Sequence, residues 1–420
     1  MNISIVFLKS NNYFYINSPD VLIKLKPMEA KSQPYLTTLT PLRGIAALII
    51  VIYHCSIDIG PFMPDGHTHF LDNAWLWVDF FFVLSGFIMC YAYSKHFKEN
   101  ITRSSYKKYI GARFARVYPL HFITTIWAFV CAVIIVHLTA HMNPFLAEII
   151  NPKALPASLL LIQSMHLYFT APLNTPSWSL STEWWVYMIF PFVVPFFIRL
   201  KKSGQILTGI AIVAFYVFLR YIVGPITPSF HPGPTINIMT DFGFFRCLAG
   251  FFAGMLLFTF YEHGSGYRII KRDWFFLLSF IGALVAMHFG VMDIIIIAFF
   301  PFILIAAAYN QTMIKRLLDT RPLQRLGDWS FSIYMVHMPI IFTFYAINVI
   351  QNPKLLDDTV KAAPQKPNYV VGMMICLVLV LLTLILAAIF YRFVEIPARN
   401  YFNKAFKTKH KEITPETTEV

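Results

Sequence analysis

The sequence predicts an all-α membrane protein: a bundle of about ten transmembrane helices with both termini in the cytoplasm. Three observations carry the prediction. The 420 residues are 57% hydrophobic, 17% aromatic and only 13% charged, a balance no soluble domain of this length needs. The apolar residues gather into stretches of about 20, the length at which a helix crosses the hydrocarbon core with its backbone polar groups satisfied internally. Lysine and arginine recur in alternate connections, as the charge rule for cytoplasmic loops requires. The spans fall at 42–59, 73–93, 117–139, 180–199, 205–223, 242–260, 274–290, 293–309, 329–350 and 370–392. The seventh and eighth form a tight hairpin across the few residues around Asp293.

The basic connections set the orientation. Lys95, Lys98, Arg103, Lys107, Lys108, Arg113 and Arg116 crowd the second connection. Arg199, Lys201 and Lys202 follow the fourth span, Arg268, Lys271 and Arg272 the sixth, and Lys315, Arg316, Arg321 and Arg325 the eighth. Residues 55–74 and 224–240 contain neither Lys nor Arg. His54 is therefore expected toward the outer face. The formal charge of +13 is accounted for by this asymmetry and by anionic membrane lipid, so nucleic acid is not an expected partner.

Residues 1–35 read as a poorly ordered N-terminal extension: MNISIVFLKS is too short for a signal peptide and Lys9 interrupts it, and Met28 is an alternative start. Residues 36–400 form the transmembrane domain and 401–420 a short polar cytoplasmic tail with no room for a second folded domain. Five scattered cysteines, Cys55, Cys90, Cys131, Cys247 and Cys376, show no CxxC and no ligand spacing. They read as small buried hydrophobes, with neither a disulfide framework nor a metal site expected.

Polar residues inside the spans carry the functional signal, because ionisable groups in a membrane are costly unless they face a cavity or one another. Arg43 and His54 are eleven steps apart in the first span, so they share one helix face about 16 Å apart along the axis. The plainer reading has each marking one interface. In the second span Asp79 lies near the outer end and Ser85-Gly86 near the middle, the carboxylate either capping the helix or lining a polar cavity. Arg113 and Arg116, at i, i+3 just before an apolar run, make a forked anion site suited to phosphate, or else two more positive-inside charges. His121 follows within about a turn.

Trp178, Ser179, Ser181 and Glu183 cluster at the start of the fourth span, at the level assigned to His54; the tryptophans also suit an aromatic belt. A carboxylate there suits orienting a histidine. In the sixth span Arg246 must meet an anion or a carbonyl, and Gly250 and Gly254 form a GxxxG packing face. In the ninth, Ser330 and His337 share a face with Tyr334 between them. By depth, Arg43, Arg113 and Arg116 lie near the inner surface with His337 deeper. His54, Asp79, Glu183 and Arg246 lie toward the outer one.

These residues resemble the acyltransferase-3 family of polytopic membrane acyltransferases. The matching motifs are the Arg43-x10-His54 pair after LTPLRGIAAL, VDFFFVLSGFIM, and Arg113-x-x-Arg116 with Pro119. WSLSTEWWVYMIFP with Glu183, FRCLAGFFAGMLL, LGDWSFSIYMVHMP with His337, and VEIPAR with Glu395 and Pro397 complete them. The likeness covers residues 36–400, in order.

The resemblance implies acyl-CoA, most simply acetyl-CoA, as a donor substrate, with no permanently bound cofactor. The acceptor would be a hydroxyl of a glycan, lipid-linked sugar or similar molecule, and the home a bacterial inner membrane. Some relatives append an SGNH-type domain; this chain is expected to work alone or to pass its acyl group to a separate partner acyltransferase. His54 and Glu183 are the expected catalytic pair, His54 deprotonating the acceptor or carrying the acyl group, and Glu183 orienting it. Arg113 and Arg116, assisted by Arg43, would hold the CoA phosphates. Asp79, Ser85, Trp178, Ser181, Arg246 and His337 would line the acceptor site or cavity. A transporter or flippase of a polar solute or acyl group is the rival reading of the same intramembrane charges, and a non-catalytic scaffold is a third.

Overall fold

The computed structural model describes residues 8–10, 13–18, 21–25, 36–60, 62, 66–98, 100–227, 233–356 and 368–405. The alternative start at Met28 and tail residues 406–420 lie outside the described residues. The chain divides into two units, residues 1–36 and 37–420. In the first, β1 (Leu8–Ser10), β2 (Tyr13–Ser18) and β3 (Val21–Leu25) pair as an antiparallel meander. YFYINS and VLIKL carry the β-branched and aromatic residues that favour extended pairing.

The second unit is helical. In chain order it contains α1 (Leu39–Asp58), α2 (Trp77–Phe97, entered through a 3-10 turn at Ala74–Leu76), α3 (Arg103–Leu138), α4 (Pro144–Ile149), α5 (Leu155–Leu159), α6 (Ser177–Phe197), α7 (Lys202–Phe218) and α8 (Gly243–Glu262). Then follow α9 (Tyr267–Ile270), α10 (Asp273–His288), α11 (Asp293–Tyr309), α12 (Met313–Leu318), α13 (Arg321–Asp328), α14 (Ser330–Gln351), α15 (Tyr369–Phe390) and α16 (Ile396–Ala405). Eight helical stretches among the described residues are long and apolar enough to cross a membrane. The expected spans at 274–290 and 293–309 form the shorter α10 and α11, of 16 and 17 residues, joined as the expected hairpin.

The third span differs most from its expected bounds. Instead of beginning at 117, α3 starts at Arg103, where Thr102 and Ser105 form a reciprocal capping box, and runs 36 residues. At 1.5 Å per residue that is roughly 54 Å, well beyond a hydrocarbon thickness of about 30 Å. Arg113 and Arg116 therefore ride on the same continuous helix as the apolar run, not in a connection before it.

Helices α2 and α8 meet backbone to backbone. A Cβ on Gly86 would lie 1.9 Å from the Phe251 carbonyl oxygen, and one on Gly254 would lie 1.9 Å from that of Val83. The GxxxG face and the Ser85-Gly86 notch thus face each other, since only hydrogen fits between the helices. Ala47, Val51, Ala128, Cys131, Val336 and Ile340 belong to the apolar core joining α1, α3 and α14, with Cys376 and Leu379 of α15 closing it. All five cysteines are buried free thiols. Ile206, Leu207, Ile210, Leu278, Met374 and Leu377 point outward, the apolar exterior of a multi-pass membrane protein.

Candidate active site

Proline places the first half of the site. Pro339 within α14 has no N–H to give the carbonyl four residues back, that of Met335. Asn174 supplies the missing donor, its Nδ2 donating to Met335 O at 3.0 Å. The loop before α6 is thereby tied to the helix that carries His337. In α6 Pro191 likewise frees the Tyr187 carbonyl, which accepts from the Tyr109 hydroxyl at 3.0 Å.

His337 meets His54 across the bundle, Nε2 to Nδ1, at 3.2 Å. Each Nδ1 also faces a carbonyl one turn back on its own helix: Ile50 O at 3.0 Å for His54 and Ile333 O at 3.2 Å for His337. A carbonyl only accepts, so both Nδ1 atoms carry a proton in the neutral rings. His337 Nε2 then accepts from His54 Nδ1–H, which it shares with Ile50 O. The tautomer that follows leaves the lone pair of His54 on Nε2.

His54 lines a cavity of about 500 Å³ whose wall also includes Asp58, Trp75, Trp178, Arg246, Tyr334 and Tyr345. Arg246 is fully buried and bound in a fork to Asp79, Nε to Oδ1 at 3.1 Å and Nη2 to Oδ2 at 2.5 Å. Its guanidinium carbon lies 4.8 Å from the Trp75 ring and 5.3 Å from the Trp178 ring. Two aromatic faces and a carboxylate neutralise a charge that the membrane would otherwise make very costly. Tyr334 donates to Pro176 O at 2.9 Å and lies 2.8 Å from Ser179 Oγ, fixing the opposite wall.

A second cluster, none of whose residues lines that cavity, is basic. Arg113 Nη2 donates to the Tyr93 hydroxyl at 3.0 Å, and its guanidinium lies over the Tyr93 ring at 5.3 Å. Arg113 Nε is buried with no hydrogen-bond partner among the described residues. Arg116 is committed: it donates to Glu395 Oε2 at 2.9 Å, and Ser332 donates to Oε1 at 2.6 Å. Glu395 closes a π-helical turn, Tyr391–Glu395, after α15, and is 2% exposed. Glu183 lies one turn before Tyr187 on α6, and Ser85, Tyr187, Arg113 and Arg43 are the polar groups that act on its charge. Ser85 and Tyr187 themselves are 2.9 Å apart.

The structure brings together some expected site residues and separates others. Trp178 and Arg246 line the cavity with His54, and Asp79 sits behind as the partner of Arg246. His337, placed deeper by the sequence reading, is the ring against His54. Glu183, expected beside His54, belongs instead to the Ser85–Tyr187–Arg113 cluster. The reason is helical phase: five steps from Trp178 is about 140° around α6, which turns Glu183 away from the cavity that Trp178 faces.

Ser181, also expected at the cavity, donates to Leu161 O at 2.7 Å and fixes the preceding loop. Ser85 joins Glu183 rather than the acceptor cavity. The expected Arg113–Arg116 fork is split, because Glu395 takes Arg116. Sequence reasoning passed over Asp58, Trp75 and Tyr345; for Asp58 the signal was its i+4 spacing from His54. Among the described residues no cluster of three or more His, Cys, Asp or Glu is arranged to hold a metal ion.

A family model described as an acyltransferase domain matches residues 39–392. Acyltransferase MdmB of Streptomyces mycarofaciens is 28% identical over 335 residues, 73% of this chain and 79% of the relative. O-acetyltransferase OatA of Staphylococcus aureus is 25% identical over 411 residues, covering 91% of this chain and 60% of the relative. Peptidoglycan O-acetyltransferase OatA of Listeria monocytogenes is 22% identical over 415 residues, covering 90% and 59%. The chain thus spans about three fifths of the length of the two OatA proteins. No solved structure matches.

Proposed function

The chain belongs to the acyltransferase-3 family, and from that premise we propose that it moves an acetyl group from acetyl-CoA to a hydroxyl of a glycan or lipid-linked sugar. One observation carries the reading: His54 lines the cavity with its Nδ1 engaged by Ile50 O and His337, the arrangement that leaves Nε2 as its unprotonated nitrogen. In the proposed step the acceptor oxygen attacks the thioester carbonyl carbon while its proton passes to His54 Nε2. The C–O bond forms, the C–S bond breaks, and the proton leaves with the CoA thiol. As His54 becomes imidazolium, its Nδ1–H bond to His337 Nε2 strengthens, the stabilisation a general base needs in the transition state.

The CoA phosphates would sit at the arginine end, on Arg43 and Arg113, with Glu183 positioning Arg113. Arg116 is assigned to Glu395 and the fold. The lysine and arginine bias of that end favours the cytoplasmic face, with the protein in a bacterial inner membrane and the His54 cavity opening to the opposite side. The extended arm of the donor would cover the roughly 16 Å of α1 between Arg43 and His54. The O-acetyltransferase names of two relatives support the acetyl donor and hydroxyl acceptor.

The test is thiol release from acetyl-CoA by purified protein in lipid with a glycan extract as acceptor. His54→Ala should abolish release in a folded protein, and Arg113→Ala should weaken donor affinity. Wild-type activity in folded His54→Ala would sink the assignment. Absence of release with every donor and acceptor, together with solute exchange across vesicles, would establish the transporter instead.

A further inference from the structure

The cavity holds a carboxylate that the proposed step does not use. Asp58 lies one turn beyond His54 on α1, at i+4, so both face the same wall about 6 Å apart along the axis. It is the last residue of that 20-residue helix, where the helix dipole is already negative. Its Oδ2 is buried with no hydrogen-bond partner among the described residues. The Tyr345 hydroxyl donates to the backbone carbonyl of Asp58, pinning α1 to α14 without satisfying the side chain. Burial, the dipole and an empty acceptor atom all disfavour a carboxylate here. A donor on a ligand in the cavity would relieve the cost through the carboxylate's other oxygen, since Oδ2 is itself enclosed by protein.

The rest of the wall says which kind of ligand. Asp72, at the rim, lines this cavity and a neighbouring one of about 350 Å³, with one oxygen, Oδ2, 3.0 Å from His69 Nδ1. Among the described lining residues Arg246 is the one Lys or Arg, and its charge is already locked to Asp79. An anionic group entering would meet the acidic side chains of Asp58 and Asp72 and no Lys or Arg free to pair with it. A hydroxyl or an ammonium would meet acceptors.

We propose that Asp58 and Asp72 form an acceptor-selecting subsite that takes a neutral or amine-bearing sugar unit and rejects carboxylated ones. Asp58 accepts a hydrogen bond from the group beside the hydroxyl presented to His54. The role as an acceptor subsite rests on the acyltransferase reading above; the charge selection of the cavity does not.

The experiment uses the full chain in lipid nanodiscs with acetyl-CoA and three probes: an N-acetylglucosamine tetramer, a glucosamine tetramer and a galacturonic acid tetramer. Acetyl transfer gives kcat/KM, and Trp75 and Trp178 in the cavity wall give a fluorescence readout of binding without chemistry. Wild type should favour the first two probes over the third by at least about tenfold in both readouts. Asp58→Asn should shrink that gap to under about threefold, with the glucosamine tetramer losing most and the KM for acetyl-CoA unmoved. If Asp58→Asn fails to fold, Asp72→Asn and added salt should each narrow the gap in the same direction, because rim charges are screened.

An unchanged ranking in these variants, a wild-type preference for the galacturonic acid tetramer, or no binding of any probe overturns the subsite. Charge-ranked binding without thiol release would overturn the acyltransferase reading, and with it the acceptor role, and leave the charge selection of the cavity standing.

Discussion

Replacing His337 by alanine isolates the feature on which the proposed chemistry depends. The imidazole accepts from His54 Nδ1–H at 3.2 Å, and the same proton also faces Ile50 O at 3.0 Å. His337→Ala therefore leaves His54 with its tautomer still held by the carbonyl, but removes the second acceptor. That acceptor matters most when His54 becomes a cation. A hydrogen bond to a charged group is worth about 1.5–3 kcal/mol, which corresponds to roughly a 10- to 150-fold loss at about 1.4 kcal/mol per decade. The loss should fall on kcat, with the KM for acetyl-CoA unchanged, because the interaction strengthens only as charge develops. The assay is steady-state thiol release with acetyl-CoA varied at saturating acceptor. In a His54→Ala background the second substitution should add almost nothing, since the two rings act as one unit. Full activity in folded His337→Ala, or a loss confined to KM, would refute the reasoning.

Three further outcomes follow from the packing. The two arginines of α3 should separate by phenotype: Arg116→Ala should cost about 3–5 kcal/mol by leaving Glu395 buried without its cation, seen as a lowered unfolding temperature in detergent. Arg113→Ala should instead raise the KM for acetyl-CoA by about tenfold, the share of one charge-assisted bond, with little change in unfolding. Gly254→Ala should destabilise by about 1–3 kcal/mol, because its methyl would lie 1.9 Å from Val83 O and force α2 and α8 apart; thermal unfolding measures it. Asp79→Ala should destabilise by about 3–5 kcal/mol, whereas replacing Asp79 and Arg246 together by leucine and methionine should recover much of that loss, a contrast read by chemical denaturation of the pair.

The polar residues show how far reading along the chain could go. Arg43 and His54 share a helix, so their relation was legible from spacing alone. Arg246 was expected to meet an anion or a carbonyl inside the bundle; it meets both, in Asp79 and, at 3.4 Å, Ile238 O. Glu183 was legible as an intramembrane carboxylate in need of company, but its assignment to His54 rested on depth. Depth does not report azimuth, and the rotation of α6 sends Glu183 to Ser85 and Tyr187 instead. Arg113 and Arg116 read as a pair because i, i+3 residues are neighbours on a helix. Nothing local announced that Glu395 would take one of them.

What the sequence determined by itself is what depends on each residue's own transfer energy and on helical periodicity. That includes the apolar stretches long enough to be spans, the GxxxG face, the run of motifs and the Arg43–His54 spacing. Tertiary structure alone decided the partnerships: His54 with His337 across 283 positions, Arg116 with Glu395 across 279, Arg246 with Asp79 across 167. Those depend on the rotation and tilt of each helix about its neighbours. They are set by backbone contact at Gly86 and Gly254 and by carbonyls freed at Pro191 and Pro339. No single segment carries that information, because in a bundle the partner of a buried charge is chosen by the helix packed against it.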